Sequence, residues 1–220
     1  MPHVSRVLAG ALLVAGVLAS GAAPALASHG PEQGSGSVDP NAHPGRLKAQ
    51  ITFIKNPAHP WHSRVTWVAQ RQRADGSWKV LAQDSWRAGS GLPAGGHATN
   101  ACVKGHGWLP NGRYALRQYD DYAGTLIHGR AFRLSDKRCA NGTLREQLFI
   151  HTEASAGNGQ CADGPGDQIC RWEFPRINDY TSHGCIKMSP TDLLALTRDY
   201  HRFFRPGVRY PTAKVSLLVR

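Results

Sequence analysis

The sequence lacks the patterns that mark fibrous and membrane proteins. It has no strict glycine period and no sustained heptads, and its one long apolar run lies at the N-terminus. These absences exclude a collagen, a coiled coil and a polytopic membrane protein. Acidic residues are also scarce, since 15 Asp and Glu stand against 26 Lys and Arg, a formal charge of +11 at pH 7. No run of Lys or Arg exceeds two residues, which argues against a nucleic-acid partner.

Glycine and proline are plentiful, with 24 and 14 residues, and 41% of the chain is hydrophobic. This composition can bury a core and favours a β-rich, turn-rich fold over a helical bundle. Asp75-Gly76 lies between two alternating segments and predicts a β-hairpin. Strands are predicted over residues 47–54, 63–73, 77–86, 113–119, 125–134, 144–152 and 214–220.

One helix is predicted after residue 189. Ser189 can cap its N-terminus, Pro190 suits the first helical position, and Asp192 adds an acid to the first turn. Pro206-Gly207 lies beyond its end. Its apolar stripe consists of Leu193, Leu196, Tyr200 and Phe204. We therefore expect a mainly β domain over residues 46–220 with one late helix.

The N-terminal segment has the pattern of a secretory signal peptide. Arg6 precedes the apolar stretch Val7–Leu18, and Ala25-Leu26-Ala27 provides a small-x-small cleavage site after residue 27. No Cys lies near that point, so we expect no lipid anchor and no membrane attachment after cleavage. Residues 28–45 are rich in Gly, Ser, Pro and His and predict a flexible linker. The protein is expected to be secreted or located at the cell wall.

Export changes how the five cysteines are interpreted, because disulfides persist in oxidising compartments. Four can form two bridges, which leaves one free thiol. The turn Gly164-Pro165-Gly166 favours a short Cys161–Cys170 bridge, and Cys102–Cys139 would then be the second, although four cysteines allow three pairings. Cys185 is left as the free cysteine. None of the histidines has a zinc-like spacing with Cys or acid, so no metal is expected.

The stretch from Thr181 to Pro190 contains the residues best suited to nucleophilic chemistry. Cys185 lies between small residues and an apolar segment, and it needs a base to act as a nucleophile. The best candidate base is His151, at the end of an apolar strand, and the carbonyl of Thr152 could orient its ring. Backbone N–H groups of Gly184 and Cys185 could form an oxyanion site.

Ser182-His183-Gly184-Cys185, followed by an apolar residue and Lys187, with His151 upstream at a strand end, resembles the catalytic domain of the YkuD-type L,D-transpeptidases. The Pro110-x-Gly112 turn and the helix after the cysteine are also similar to that family, and the resemblance covers about residues 90–220. It implies a β-sandwich or barrel-like catalytic domain with one helix after the cysteine loop.

The resemblance also implies residue roles. Cys185 would attack an L,D peptide bond in a peptidoglycan stem tetrapeptide, with His151 as base and the Thr152 carbonyl holding it. His183 and Gly184 would shape the oxyanion site and Ser182 would support the loop. An amine of another stem would resolve the thioacyl-enzyme and form a 3→3 cross-link. The family needs no cofactor or metal, and carbapenem-type inhibitors acylate its members.

Three positions depart from the family pattern. Lys187 stands where members often have Arg or Asn, which makes it a candidate substrate ligand, and Thr152 stands where many have Gly. The interval between His151 and Cys185 is longer than usual, and we interpret residues 157–178 as an insertion at the rim of the active site. Two alternatives stay open: an L,D-carboxypeptidase with the same residues, and a non-catalytic wall-binding module.

Overall fold

The structure is a computed structural model that describes residues 43–220. The predicted signal peptide, and the predicted linker up to residue 42, lie outside the described residues. The described part is mainly β with a single α-helix, as the sequence predicts. Its elements are β1 (Leu47–Ile54), β2 (Ser63–Gln72), β3 (Trp78–Ala88), β4 (Gly112–Tyr114), β5 (Leu116–Ala123), β6 (His128–Leu134), β7 (Lys137–Arg138), β8 (Leu144–Arg145), β9 (Phe149–His151), β10 (Ile186–Lys187), α1 (Pro190–His201) and β11 (Val215–Val219).

Five strands form one sheet in the order β3-β2-β1-β11-β4. β1 has the bounds predicted from the sequence and pairs parallel to β11 and antiparallel to β2. The predicted hairpin joins β2 to β3, with Gly76 at φ 82° and Ser77 N–H donating to Asp75 Oδ1 at 2.9 Å. Alternate residues of β2 are buried, so the period of two in the sequence corresponds to one face against the core.

A second sheet has the order β10-β9-β6-β5, and β7 and β8 form a separate pair. Two predicted strands are divided. The 113–119 segment becomes β4 and β5, which belong to different sheets, and the 144–152 segment becomes β8 and β9. Gln147, at φ 53°, interrupts the second of these segments. β10 was not predicted as a strand.

The helix begins as the sequence predicts. Ser189 Oγ accepts the N–H of Asp192 at 3.1 Å and caps α1. The ring of Tyr200 lies 6.2 Å from that of Trp67 in β2 and 5.4 Å from that of Phe132 in β6. Helix α1 therefore packs against both sheets, and all four residues of its predicted stripe are buried.

A backbone bridge at the end of β3 helps to hold the strands around the end of β9. Gly89 pairs with Lys187 through two backbone hydrogen bonds of 2.9 Å, which connects the end of β3 to β10. A Cβ at Gly89 would lie 2.7 Å from Cβ of Tyr180, so only glycine permits this approach.

Within residues 43–220, no helix is both long and apolar enough to cross a membrane.

Candidate active site

Cys185 is the free cysteine, and the other four form the two predicted bridges, Cys102–Cys139 and Cys161–Cys170. This outcome confirms the pairing expected from the sequence. Cys185 is partly buried and directly precedes β10. Its thiol donates to the carbonyl oxygen of Gln147 at 3.7 Å. The one cysteine outside a disulfide therefore lies at the end of the second sheet.

His151 ends β9 and is 7% exposed. Its Nδ1 lies 2.9 Å from the carbonyl oxygen of Thr152. Because a carbonyl can only accept, this contact places the hydrogen on Nδ1 and leaves Nε2 as an acceptor. The Thr152 carbonyl thus holds the imidazole in one orientation.

The parallel pairing of β9 and β10 brings the two residues together. Lys187 is opposite His151 and Ile186 is opposite Ile150, so Cys185 lies two positions from His151 along the adjacent strand. Adjacent strands of a sheet lie about 4.7–4.9 Å apart. The register therefore places the predicted nucleophile two positions before the strand partner of the predicted base.

Both groups are neutral at pH 7 in this environment. Burial raises the pKa of the Cys185 thiol to about 11, although the Phe149 N–H and the charges of Lys187 and Arg145 act to lower it. Burial and the charge of Lys187 lower the pKa of His151 to about 3, against the opposing effect of its bond to Thr152. The resting site is therefore a thiol beside an imidazole that can accept a proton, not a thiolate–imidazolium pair.

The Ser182 hydroxyl makes three hydrogen bonds to the backbone in and around the loop that carries Cys185. Its hydroxyl donates to the carbonyl oxygen of Cys185 at 2.6 Å and accepts the N–H groups of Gly184 at 3.2 Å and Gly91 at 3.3 Å. These contacts tie Ser182 to both the Cys185 loop and the loop of Gly91. They also engage the Gly184 N–H, which leaves the Cys185 N–H as the better oxyanion donor of the predicted pair.

Gly184 occupies a position that no other residue fits. Its φ is 120°, in the region that favours glycine, and an added Cβ would collide with Arg145 Nη2 and lie 2.9 Å from the Gly107 carbonyl oxygen. The neighbouring His183 is exposed, and its Nδ1 lies 2.6 Å from the carbonyl oxygen of Gly105. Residues 101–108 therefore contact the loop that carries Cys185.

Arg145 is a functional candidate that the sequence analysis missed. It is 2% exposed, yet all its hydrogen bonds go to backbone carbonyls. They are those of Ala101, Trp108 (3.3 Å), Gly107 (2.9 Å) and His183 (3.3 Å). Burial lowers the pKa of Arg145, while the nearby Cys185 thiol acts to raise it. Nothing in the sequence distinguishes it, because arginine is usually exposed.

Lys187 is placed differently from the expectation. Its ammonium pairs with Glu153 Oε1, and its side chain is only 13% exposed. A role as substrate ligand would require this ion pair to open. Its charge instead acts on the pKa values of both His151 and Cys185.

The segment 157–178 contains no strand and no α-helix; it begins within the short 3₁₀ helix Ala156–Asn158 and is held at several points. The guanidinium of Arg87 in β3 lies over two aromatic rings, 4.6 Å from the centroid of Phe174 and 4.1 Å from that of Tyr180. Arg176 Nη2 lies 2.7 Å from Asp163 Oδ1 within the segment.

A scan against models of known protein families finds no match for this chain, and a search of curated proteins finds no relative.

Proposed function

We propose that the protein is an exported cysteine-dependent acyltransferase of the L,D-transpeptidase type that acts on peptidoglycan stem tetrapeptides. The observation that carries the proposal is a free Cys185 directly before β10, the strand that runs parallel to the β9 strand ended by His151, with His151 Nδ1 held by the Thr152 carbonyl at 2.9 Å. The motif around Cys185 resembles that of YkuD-type domains, and this resemblance supports a peptidoglycan stem tetrapeptide as the acyl donor. Under this proposal the mainly β domain is a YkuD-like sandwich or barrel.

The first half-reaction forms a thioester. The Cys185 thiol turns from the Gln147 carbonyl toward His151, and Nε2 takes the proton as Sγ attacks the carbonyl carbon of the L,D bond. The Cys185 N–H stabilises the oxyanion. Collapse breaks the C–N bond, and the imidazolium returns the proton to the departing amino group of D-alanine. His151 is then neutral again.

The second half-reaction depends on the acceptor. His151 removes a proton from the side-chain amine of a second stem, the amine attacks the thioester, and the Cys185 thiol is regenerated with a 3→3 cross-link. Water in place of the amine gives an L,D-carboxypeptidase. The pH 7 neutrality of the resting pair means that proton transfer accompanies attack in both steps.

The surroundings of the site fit an extracytoplasmic protein with an anionic polymeric substrate. Two disulfides in 220 residues are typical of oxidising compartments. A formal charge of +11 favours approach to anionic wall polymers. The same nucleophile would be acylated by carbapenem-type inhibitors.

The experiment is mass spectrometry of purified tetrapeptide muropeptides after incubation with the protein, with Cys185→Ala as the matched control. Cross-linked dimers that have lost D-alanine, absent with the variant, are the expected result. Monomers that only lose D-alanine would show the carboxypeptidase. Unchanged muropeptides, together with a Cys185 thiol that can be alkylated, would overturn the proposal and favour a non-catalytic wall-binding module.

A further inference from the structure

Three carboxylic acids meet beside the active site without a role in the chemistry above. One carboxylate oxygen from each of Glu153, Asp167 and Asp179 lies within 4.8 Å of the other two. Glu153 is 3% exposed and Asp179 is 1% exposed, whereas Asp167 faces solvent. Buried carboxylates are costly unless their charge is compensated, so the group requires an explanation.

In each buried carboxylate, one oxygen has an ion-pair or hydrogen-bond partner and the other has none. Lys187 contacts Glu153 Oε1, and the N–H groups of Glu173 and Phe174 donate to Asp179 Oδ2, the second at 2.7 Å. Among the described residues, Glu153 Oε2 and Asp179 Oδ1 are buried and have no hydrogen-bond partner. Two unpartnered buried oxygens therefore belong to carboxylates of this group, of which Asp167 is the exposed member.

The local charge is not balanced by protein groups. Three carboxylates face one ammonium, that of Lys187. Burial raises the pKa of Glu153 to about 7, and the charges of Asp179 and Asp167 act in the same direction. Burial also raises the pKa of Asp179. A cation among these oxygens would relieve both the repulsion and the missing partners.

We propose that Glu153, Asp167 and Asp179 form a binding site for a divalent cation, and that this cation is Ca²⁺. Ca²⁺ takes oxygen ligands at about 2.3–2.6 Å, so two ligands on opposite sides of the ion are about 4.8 Å apart. The three oxygens lie within that limit of one another. Zn²⁺ would favour nitrogen or sulfur ligands, which the group does not offer.

The three ligands come from three segments of the chain. Glu153 follows His151 by two residues, Asp167 lies in the loop closed by Cys161–Cys170, and Asp179 precedes the loop of Cys185. The cation would fasten segment 157–178 to the ends of both strands that carry the proposed catalytic pair. This site departs from the sequence analysis, which expected no metal because it searched for histidine and cysteine spacings.

The test is isothermal titration of CaCl₂ into the full, disulfide-bonded protein after EDTA treatment and dialysis, beside thermal unfolding in CaCl₂ or MgCl₂ at equal ionic strength. We expect one saturable site with Kd on the order of 10⁻⁴–10⁻³ M. At ~10 mM Ca²⁺ this affinity would raise Tm by about 5 °C. No saturable binding up to ~10 mM, or an equal Tm rise in both salts, would overturn the proposal.

The matched variants are Asp167→Asn and Asp163→Asn. Both residues are exposed in the same disulfide-closed loop, so each variant should fold, but only Asp167 belongs to the group. Asp163 pairs with Arg176 instead, so its variant controls for a loosened segment with all three carboxylates retained. We expect Asp167→Asn to weaken Ca²⁺ binding at least ~10-fold, because a charged oxygen ligand is lost, and Asp163→Asn to bind like wild type. Unchanged affinity in Asp167→Asn would contradict the assignment.

The cation site does not depend on the proposed enzyme. Glu153 and Asp179 contact neither Cys185 nor the His151 ring through any hydrogen bond in the described part of the chain. Cys185→Ala should therefore bind Ca²⁺ with wild-type affinity, whatever the muropeptide assay shows. Loss of binding in that variant would mean that the titration reports the thiol and not the carboxylates.

Discussion

Arg145 Nη2 donates a hydrogen bond to the carbonyl oxygen of His183 at 3.3 Å, across a sequence separation of 38 positions. The same guanidinium binds the Gly107 carbonyl at 2.9 Å and blocks the space where a Cβ of Gly184 would lie. A buried cation with carbonyl partners only is unusual, since arginine normally pairs with acids when buried. Here it joins β8 to the loop of Cys185.

We predict that Arg145→Lys loosens this loop, because one ammonium cannot reproduce a planar fork that reaches several carbonyls. Stability should fall by about 2–4 kcal/mol, measured by urea denaturation. Turnover should fall at least ~10-fold. Arg138→Lys is the matched control, since Arg138 is exposed and donates to the single carbonyl of Gly142; equal losses in both variants would rule out a specific role of Arg145.

A separate measurement isolates the charge of Arg145. Its proximity lowers the pKa of the Cys185 thiol, so Arg145→Met should raise that pKa and slow alkylation of Cys185 at pH 9, whereas Arg145→Lys keeps the charge. A purely structural role would slow alkylation in neither variant while the protein is folded. Peptide mapping after iodoacetamide treatment measures the rate.

Gly184 and Gly166 give a second comparison. Both have positive φ, 120° and 81°, but an added Cβ meets Arg145 at Gly184 and nothing within 4 Å at Gly166. We expect Gly166→Ala to cost about 1 kcal/mol from backbone strain alone, and Gly184→Ala to cost several times more because of overpacking. Similar midpoints in chemical denaturation would show that the guanidinium yields easily.

Local signals predicted the elements whose cause is local. The bounds of β1, the Asp75-Gly76 hairpin and the Ser189 cap each depend on a few adjacent residues, and the structure confirms them. The pairing Cys161–Cys170 follows from a turn within the loop and is also confirmed. His151 and Cys185 were selected by motif, and the strand register places Cys185 two positions before the partner of His151.

The missed features depend on contacts between distant residues. No local pattern indicates that the chain changes sheet at Ala115, which divides the predicted 113–119 strand. Arg145 gains its importance from carbonyls 37 to 44 positions away. The group of Glu153, Asp167 and Asp179 likewise forms only when three segments meet. Sequence spacing cannot show such groups, because each member is unremarkable by itself.

The neutral resting pair predicts how Cys185 reacts in the absence of substrate. With a thiol pKa of about 11, the thiolate fraction rises about tenfold per pH unit between pH 7 and pH 10. Iodoacetamide should therefore label Cys185 slowly at pH 7 and progressively faster up to pH 10, and Cys185→Ala should show no labelling at that site. A rate that levels off near pH 7 would indicate a thiolate–imidazolium pair instead.

His151 predicts a loss of stability in acid. Its pKa is about 3 when folded and about 6.5 when unfolded, so between these values the unfolded chain binds more protons. The stability that neutral His151 provides is complete above pH 6.5 and is lost as the pH falls toward 3. His151→Gln should remove this dependence. We expect the Tm difference between wild type and variant to shrink or reverse from pH 7 to pH 4.5; a constant difference would contradict the low pKa.

The two disulfides should have different consequences when removed. Cys161–Cys170 spans 9 positions and Cys102–Cys139 spans 37, so chain entropy predicts losses of about 3 and about 4 kcal/mol. The short bridge closes the rim loop, which the Arg87 stack also holds. We therefore expect the double Cys161→Ser, Cys170→Ser variant to stay folded and to change its preference among muropeptides.

The longer bridge is the matched comparison, because Cys102 lies in the loop that Arg145 and His183 contact. The double variant Cys102→Ser, Cys139→Ser should lower kcat for every muropeptide alike. It loosens residues 101–108, which contact the loop of Cys185, and leaves segment 157–178 unchanged. Ratios of kcat/KM between two muropeptides, measured for both double variants at a temperature where each is folded, separate the two roles. A collapse of Tm in the short-bridge variant, with unchanged ratios, would make that bridge structural and would remove segment 157–178 from substrate selection.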